Sequence, residues 1–401
     1  MRWYATPRSA LTLLLLASAQ LIVSAAWAGD IRRVRQDCTQ FANCSTTLAG
    51  ALGSVWAHAS PTNPVALDVG PGFWDEAFSC PAGEGNVSVR GSGVDNTVIR
   101  GDGTGPAGTA TGCTNLSFSD LTFESAEYGF RWVGGGDATW SNVDIVSVEG
   151  GTESAAFVST GCEPGDPVAN HTFFGSRLIV VDADGSASPV TAWLGNCSDG
   201  RFYGGEMRIE LRESRAAPTM TVVTLNEKAS LDVFGTALRA IVAGGSVGTI
   251  GFFYGVQVGD ATNAFSHHGG IISLSGQGAG PLWTVGISSS GGGVRTGETA
   301  YALLPGAGGS AIRIAGENPS TPFQQSPFLW QAGTSPPPLV AGNDGEDLFV
   351  ETDCESNGDC GNPDPPSPLE PHLMVMNPRL CGTTDPWFDM VTGQCRVLVN
   401  P

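Results

Sequence analysis

The chain has 401 residues, with 56 Gly, 26 Pro and 10 Cys, and charged residues make up 14% of it. Its 39 Asp and Glu against 19 Lys and Arg give a formal charge of −20 at pH 7. The glycines follow no triplet period, which excludes collagen, and a hydrophobic content of 41% argues against disorder. A polyanion lacks the basic patch that nucleic acid or anionic lipid requires, so we expect no nucleic-acid partner.

Residues 1–28 have the pattern of a secretory signal peptide. Arg2 and Arg8 precede an apolar run, and Ala26-Trp27-Ala28 is a small-x-small cleavage site. Cleavage there removes two positive charges and leaves −20 − 2 = −22. An uncleaved anchor is the alternative, but the run is short for a bilayer and contains polar residues. We therefore expect a protein that is secreted or held in the cell envelope, with no membrane span after the signal is removed.

The ten cysteines all follow residue 28. An even number in an exported chain predicts disulfides, although sequence alone leaves their connectivity open. Zinc binding would need paired Cys-x-x-Cys units or nearby histidines, which the sequence lacks. Short spacing favours three local pairs, Cys38 with Cys44, Cys354 with Cys360 and Cys381 with Cys395.

Short alternating strands recur at nearly constant spacing along the chain. Val87, Leu116 and Trp140 begin successive runs 29 and 24 residues apart, and Phe202 and Leu231 are again 29 apart. A period of about 20 to 50 residues indicates a solenoid, a propeller or an array. Tight polar turns and the lack of a propeller signature favour an all-β protein, a parallel β-helix.

Asparagines at the turns suit left-handed backbone geometry, and their side-chain amides can stack from coil to coil. Ordinary loop residues are the alternative interpretation. The candidates are Asn86, Asn96, Asn115 and Asn142.

A short helix is predicted before the first coil. Residues 44–56 begin with Ser and Thr and then place Leu48, Leu52 and Val55 at helical spacing. Such a helix can cover the open end of a solenoid.

Composition divides the chain into four predicted parts. These are the signal peptide 1–28, an N-terminal cap 29–60, the parallel β-helix 61–316 and a Pro-rich, Cys-containing C-terminal segment 317–401. We expect the last segment to pack along the solenoid. A small disulfide-stapled module that caps the last coil or binds a partner is the alternative.

The first predicted coils resemble a known family. Within residues 44–145 the order is a short helix, a strand, the run DVGPGFWDE, a Cys-Pro break and the run NVSVRGSGVDNTVIRGDG. This order resembles the first coils of pectinesterases and, more broadly, of pectin-lyase-like right-handed parallel β-helix proteins. The resemblance implies the architecture rather than the chemistry.

In that family, activity resides on paired Asp residues and an Arg that project from strands into an open groove. The expected Asp-Phe-Ile-Phe-Gly segment is absent here. The run from Leu231 to Gly235 is one residue short and lies about one coil too far from Phe202-Tyr203, so we interpret Asp232 as a turn or surface carboxylate. Because Lys228 is the only lysine, the basic set of a β-elimination lyase is missing as well.

Residues 206–212 form one charged strand. Strand alternation predicts that Met207, Ile209 and Leu211 face inward. The preceding coil adds two aspartates, and coils stacked in register would gather six charged side chains into one outward patch. These are Asp182, Asp184, Glu206, Arg208, Glu210 and Arg212.

The patch predicts two kinds of chemistry. Carboxylates about 5 to 10 Å apart suit glycoside hydrolysis, so Asp182, Asp184, Glu206 and Glu210 are the candidate catalytic residues. Arg208 and Arg212 are the candidate substrate-binding residues, because guanidinium binds a uronate carboxylate bidentately. The alternative is a solvated ladder of Glu–Arg pairs that is worth little energy.

Other candidate sites are weaker. His267 and His268 are adjacent, and adjacent residues of a strand would point to opposite faces, which argues against a joint role. We interpret them as a pair of histidines in a loop. Acidic residues at 343–347 and 353–359 resemble calcium-binding clusters without EF-hand spacing. We expect no cofactor, with calcium as the one alternative to a solvated acidic loop. Core filling is the expected role of Trp74, Trp132, Trp140 and Trp193.

Two classes of function remain. We favour a secreted, non-catalytic β-helix protein that binds carbohydrate or another cell-surface component, because the family's catalytic residues do not carry over. The alternative is a carbohydrate-active enzyme, pectinesterase-like or a glycoside hydrolase, acting on an extracellular polysaccharide. The acidity argues against pectate as the ligand unless calcium bridges it to the protein.

Overall fold

The computed structural model describes residues 30–314 with gaps at several turns, and beyond them five short strands between residues 329 and 396. The gaps are 102, 104, 149–153, 162–166, 183–189, 213–218, 243–251, 260–261, 277–282, 290–292, 298–299 and 304–307. The predicted signal peptide 1–28 lies outside the described residues. Within the described part of the chain, no helix is long and apolar enough to cross a membrane.

The predicted helix is α1, Leu48–Trp56. Its N-cap is Thr47, whose hydroxyl accepts a hydrogen bond of 3.2 Å from the Gly50 N–H, as Ser/Thr caps do. Trp56 contacts Phe78 of the first coil edge-on at 6.1 Å. The helix therefore covers the end of the solenoid, as predicted. Its buried residues are Leu48, Ala51, Leu52 and Val55.

The chain winds as a parallel β-helix, and each coil passes along three faces. Before the first coil, Asp30–Val34 pairs in parallel with Cys44–Ser45 and Val65–Val69. The first face is formed by Val65–Val69, Gly85–Arg90, Ala169–Phe174, Ser198–Tyr203 and Gly293–Gly297. The second face is formed by Gly72–Trp74, Thr97–Arg100, Arg177–Asp182, Glu206–Leu211, Ala300–Leu303 and Leu329–Ala332. Four long strands run along both faces, namely Thr114–Ser125, Gly136–Val148, Ser230–Val242 and Ala264–Gly276.

The third face is a separate sheet. Three antiparallel C-terminal strands, Leu373–Met376, Trp387–Asp389 and Gln394–Arg396, continue it beyond the last coil. Its coil strands are Phe78–Cys80, Gly108–Thr111, Tyr128–Val133, Ser154–Thr160, Val190–Asn196, Thr219–Asn226, Phe252–Val258, Trp283–Ser289, Gly308–Ile314 and Leu348–Thr352. On all three faces each coil strand pairs in parallel with the same face of the next coil, which confirms the predicted fold class.

Left-handed residues set the corner between the first and second faces. Glycine, asparagine and aspartate adopt this conformation at least cost, so the local sequence turns the chain at the same place in successive coils. The corner residues and their φ angles are Asp120 (55°), Asn142 (53°), Gly175 (56°), Gly204 (68°) and Gly235 (61°).

Side-chain amides stack at two corners. Asn115 Nδ2 donates to Asn86 Oδ1 at 3.0 Å, and Asn142 Nδ2 donates to Asp120 Oδ1 at 2.9 Å. The predicted amide stacking therefore holds for Asn86 and Asn115, whereas the Asn142 amide bonds to the Asp120 carboxylate of the preceding coil. Asn96 instead donates to the Ser92 carbonyl within its own turn.

Two columns of stacked rings fill the core. Along the first face, Phe118, Trp140, Phe173 and Phe202 stack at 4.3, 5.4 and 4.7 Å with interplanar angles of 17°, 7° and 18°. Along the third face, Phe130, Phe157 and Trp193 stack at 6.2 and 4.8 Å. All four tryptophans assigned to the core are at most 5% exposed.

Disulfides tie the N-terminal part together. Cys38–Cys44 confirms the first predicted pair. Cys80–Cys113 joins successive coils across 33 residues, a pairing that short spacing did not suggest. Cys197 is also disulfide-bonded. The side chains of the other predicted pairs, Cys354, Cys360, Cys381 and Cys395, lie outside the described residues.

Candidate functional site

The charged strand predicted from the sequence lies on the second face. Strand Glu206–Leu211 buries Met207, Ile209 and Leu211, and the alternate residues point outward. Glu206, Arg208 and Glu210 are half-buried, while Arg212 follows the strand end and is exposed. The predicted alternation of this strand is therefore correct.

The strand register gives the position of one of the two predicted aspartates. Asp182 is the last residue of Arg177–Asp182 and is in register with Leu211, whereas Val181 is in register with Glu210. The catalytic role of Asp182 stays a prediction. Asp184 lies outside the described residues.

The glutamates of the charged strand form ion pairs with arginines. Asp144, Arg177 and Glu206 are in register on neighbouring strands, and Arg177 Nε donates to Asp144 Oδ1 at 2.8 Å. Glu206 lies 3.3 Å from Arg239, and Glu210 lies 3.2 Å from Arg212. This arrangement resembles the ladder of Glu–Arg pairs that was the alternative interpretation of the strand.

The carboxylates of this strand are poorly spaced for two-acid catalysis. Glu206 and Glu210 are four positions apart, which separates their Cα atoms by about 13 Å along a strand. Glycoside hydrolysis uses carboxyl groups about 5 to 9.5 Å apart. The register neighbours of Glu210 are Val181 and Ile241, and neither is a carboxylate.

Arg208 differs from its neighbours on the second face. Its Nε is buried and has no hydrogen-bond partner among the described residues. Arg239 is directly opposite on the next strand, and like charges in that position are unfavourable. Two adjacent guanidinium groups are suited to bind an anionic group such as a carboxylate or a sulfate.

The first face carries a row of stacked rings on its outer surface. Phe174, Tyr203, Phe234 and His268 occupy the same register position in successive coils. Their ring centroids are 5.3, 5.1 and 5.3 Å apart, with interplanar angles of 11°, 8° and 16°. Phe174 is 45% exposed and Tyr203 is 38% exposed. We call these four residues the aromatic row.

The aromatic row ends on small residues. The register neighbour of Phe174 in the preceding coil is Ser141, and that of His268 in the next coil is Gly297. The outer faces of the terminal rings are therefore not covered by another large side chain in the register. A planar or apolar ligand surface can pack there.

A polar row runs parallel to the aromatic row, two positions earlier in each strand. Asp232 belongs to it and accepts a hydrogen bond of 2.5 Å from the Ser266 hydroxyl, which agrees with its interpretation as a surface carboxylate. Nearby, Ser230 donates to Asp199 at 2.5 Å. The face thus combines hydroxyl, carboxylate and guanidinium groups with exposed rings. Among the side chains that the structure describes, the polar row consists of Ser117, Thr139, Thr172, Arg201, Asp232 and Ser266.

The aromatic row was not predicted, although the sequence contains a signal for it. Each of its members directly precedes a glycine, in the pairs 174–175, 203–204, 234–235 and 268–269, at intervals of 29, 31 and 34 residues. The glycines form the corner between the first and second faces, as the positive φ angles show. An aromatic residue before a corner glycine is therefore placed at the outer edge of the first face.

The two adjacent histidines belong to a strand rather than to the predicted loop, and their side chains point to opposite sides of it. His268 joins the aromatic row, whereas His267 is buried and donates from Nε2 to the Thr236 carbonyl at 3.2 Å. Burial lowers the pKa of His267 to about 4. The ring of His267 is therefore neutral at physiological pH.

Metal binding finds no support within the described residues, which contain no group of three His, Cys, Asp or Glu able to hold an ion. The acidic clusters at 343–347 and 353–359 lie outside the described residues. Calcium binding there remains a prediction.

Comparisons with known proteins give structural likeness alone. No family model matches the chain, and no curated protein matches it. A pectin methylesterase from carrot is similar at a TM-score of 0.39 and 10% identity, covering 78% of this chain and 91% of its own. Two pectin methylesterase structures with bound hexasaccharides, one of them of a mutant, have TM-scores of 0.32 and 0.31, each at 10% identity. They cover 73% and 75% of this chain, and 80% and 81% of their own.

Proposed function

We propose that the chain is an extracellular, non-catalytic carbohydrate-binding protein whose binding surface is the first face. The observation that carries this proposal is the aromatic row beside the polar row. Disulfides at Cys38–Cys44 and Cys80–Cys113 support an oxidising compartment outside the cytosol.

The chemistry of the first face matches that of a sugar chain. A pyranose ring has an apolar surface of C–H groups and a rim of hydroxyls. The outer face of Phe174 and the exposed edges of the stacked rings can pack against the C–H groups, and the Tyr203 hydroxyl offers a polar contact at the same place. Arg201 and Asp232 can bind the hydroxyl rim. Because the rows repeat from coil to coil, an extended glycan along the helix axis would meet similar contacts at each step.

The pairing and the spacing of the carboxylates favour a binding function over a catalytic one. Glu206 and Glu210 are paired with arginines and are too far apart along the strand to act together. Arg208 and Arg212 remain proposed contacts for an anionic group on the ligand. An esterase or hydrolase stays the alternative function.

Removal of the central rings should weaken binding. We would screen the purified full chain by affinity electrophoresis against neutral and anionic polysaccharides. We expect at least one polysaccharide to slow the migration of the protein. For that polymer, the double variant Tyr203→Ala/Phe234→Ala should bind about tenfold more weakly or worse, because two stacked aromatic contacts are lost.

The matched control is Phe41→Ala/Phe73→Ala, which removes two exposed rings, 44% and 57% accessible, that lie off the aromatic row. This control should bind like the unmodified chain. Equal affinity of both double variants would contradict the proposed surface, and release of shortened or de-esterified product would favour the enzyme.

A further inference from the structure

Arg208 on the second face lacks a partner of opposite charge. It is half-buried, and it forms no ion pair and no hydrogen bond with any described residue. The chain has 39 Asp and Glu against 19 Lys and Arg, so carboxylates are plentiful. Seven other arginines in the described part of the chain each form an ion pair with one. An arginine without a carboxylate therefore needs a physical explanation.

The two glutamates that flank Arg208 along its strand are paired with other arginines. Glu206 lies 3.3 Å from Arg239, and Glu210 lies 3.2 Å from Arg212. The Arg208 guanidinium thus keeps its full charge directly opposite Arg239 on the next strand. Like charges in that position repel, and an unpaired charge that is partly removed from water costs free energy. An anion bound between the two guanidinium groups would offset both costs.

Solvent can reach both guanidinium groups. Only the Nε of Arg208 is buried, and its two Nη atoms are accessible and likewise have no hydrogen-bond partner among the described residues. The Arg239 side chain is 47% exposed. Its register neighbour on the side away from Arg208 is Ser273, which is small. The N–H groups at the ends of both arginine side chains are therefore open to a ligand.

Two adjacent guanidinium groups favour one shape of anion. A single guanidinium satisfies both oxygens of a carboxylate through two parallel hydrogen bonds. A sulfate or phosphate ester has three outer oxygens, so it can accept hydrogen bonds from two guanidinium groups at once. Arginine is also the side chain whose rigid, weakly hydrated fork matches such groups. The pair thus suits a tetrahedral oxyanion better than a carboxylate.

We propose that Arg208 and Arg239 bind one tetrahedral oxyanion, a sulfate or phosphate ester on an extracellular ligand. This site lies on the second face and is separate from the aromatic row, so it goes beyond the proposed binding surface. The same two coils carry both, because Tyr203 and Phe234 precede the two arginines by five residues each. A glycan that carries such esters can therefore contact both sites.

The test follows the unfolding midpoint of the full chain at millimolar sulfate, phosphate or acetate, with chloride added to keep the ionic strength constant. An anion that binds only the folded chain raises the midpoint with a saturating dependence on concentration. We expect this rise with sulfate or phosphate, and the two probes show which ester the site prefers. Acetate should act like chloride. The general stabilisation by sulfate, which comes from its exclusion from protein surfaces, is common to all variants.

Arg208→Gln should abolish the saturating rise without lowering the midpoint in chloride alone, because it removes an unpaired charge. Arg239→Gln should weaken the anion affinity about tenfold or more, since charge-assisted hydrogen bonds are lost. The matched control is Arg131→Gln, which removes an exposed arginine of the third face and should keep the full rise.

The aromatic double variant separates this site from the proposed function. Tyr203→Ala/Phe234→Ala should lose polysaccharide binding and keep the response to the anion. The inference is overturned if neither sulfate nor phosphate gives a saturating rise, if acetate gives an equal one, or if the rise survives either arginine substitution in the pair.

Discussion

Trp140→Ala is expected to destabilise the protein by about 3–5 kcal/mol, the cost of emptying a large aromatic site in a core. Trp140 is fully buried and joins two rings of the first-face column, Phe118 at 4.3 Å and Phe173 at 5.4 Å. It also meets Phe130 and Phe157 edge-on, at 4.9 and 5.7 Å. Its removal therefore leaves a gap at the contact between the two columns. Chemical denaturation of both proteins measures the loss.

The matched control is Trp140→Phe, which keeps an aromatic ring between Phe118 and Phe173. It also removes the indole Nε1, a buried donor with no hydrogen-bond partner among the described residues. We expect this variant to lose much less stability than Trp140→Ala. Equal losses for the two variants would contradict a stabilising role for the continuous ring column.

Acid should destabilise the protein through His171. Burial lowers the pKa of His171 to about 3 from its ordinary value of 6.5. Its ring lies 4.8 Å from Trp132 and 4.9 Å from Phe157, and neither ring nitrogen has a hydrogen-bond partner among the described residues. Between pH 6.5 and 3 the unfolded state thus binds a proton that the folded state does not. The stability falls as the pH falls through this window, by about 1.4 kcal/mol per pH unit and roughly 4–5 kcal/mol in total.

His171→Phe is expected to remove this contribution. The variant keeps a ring in contact with Trp132 and Phe157, so its stability at pH 7.5 should equal or exceed that of the unmodified chain. Unfolding free energies of both proteins between pH 7.5 and 4 should diverge by about 1.4 kcal/mol per unit below pH 6.5. Contributions from all other groups, His267 included, are common to both proteins and cancel in the difference. Parallel pH profiles would show that His171 does not carry the effect.

Much of the architecture could be predicted from local pattern. Period-2 alternation in short runs marks strands with one buried face, and left-handed residues such as Asn142 and Gly204 mark corners. Both signals act within a few residues. The helix at Leu48–Trp56 is equally local, because it depends on a Thr cap and three apolar residues at helical spacing.

The candidate site was harder to predict because it depends on register. Phe174 and Tyr203 are ordinary residues at two strand ends until the coils are stacked in register. The same register sets position 182 opposite Leu211, a pairing that the alternation within one strand does not reveal. A shift of one residue in any coil would move a whole strand's side chains to the other face.

By itself, the sequence determined the strand pattern, the corner residues, the capping helix and the Cys38–Cys44 pair, since each of these depends on neighbours along the chain. Only the tertiary structure decided that Cys80 meets Cys113 and that four rings form the aromatic row. These contacts join residues about one coil apart, and the length and path of each intervening turn decide which residues become neighbours.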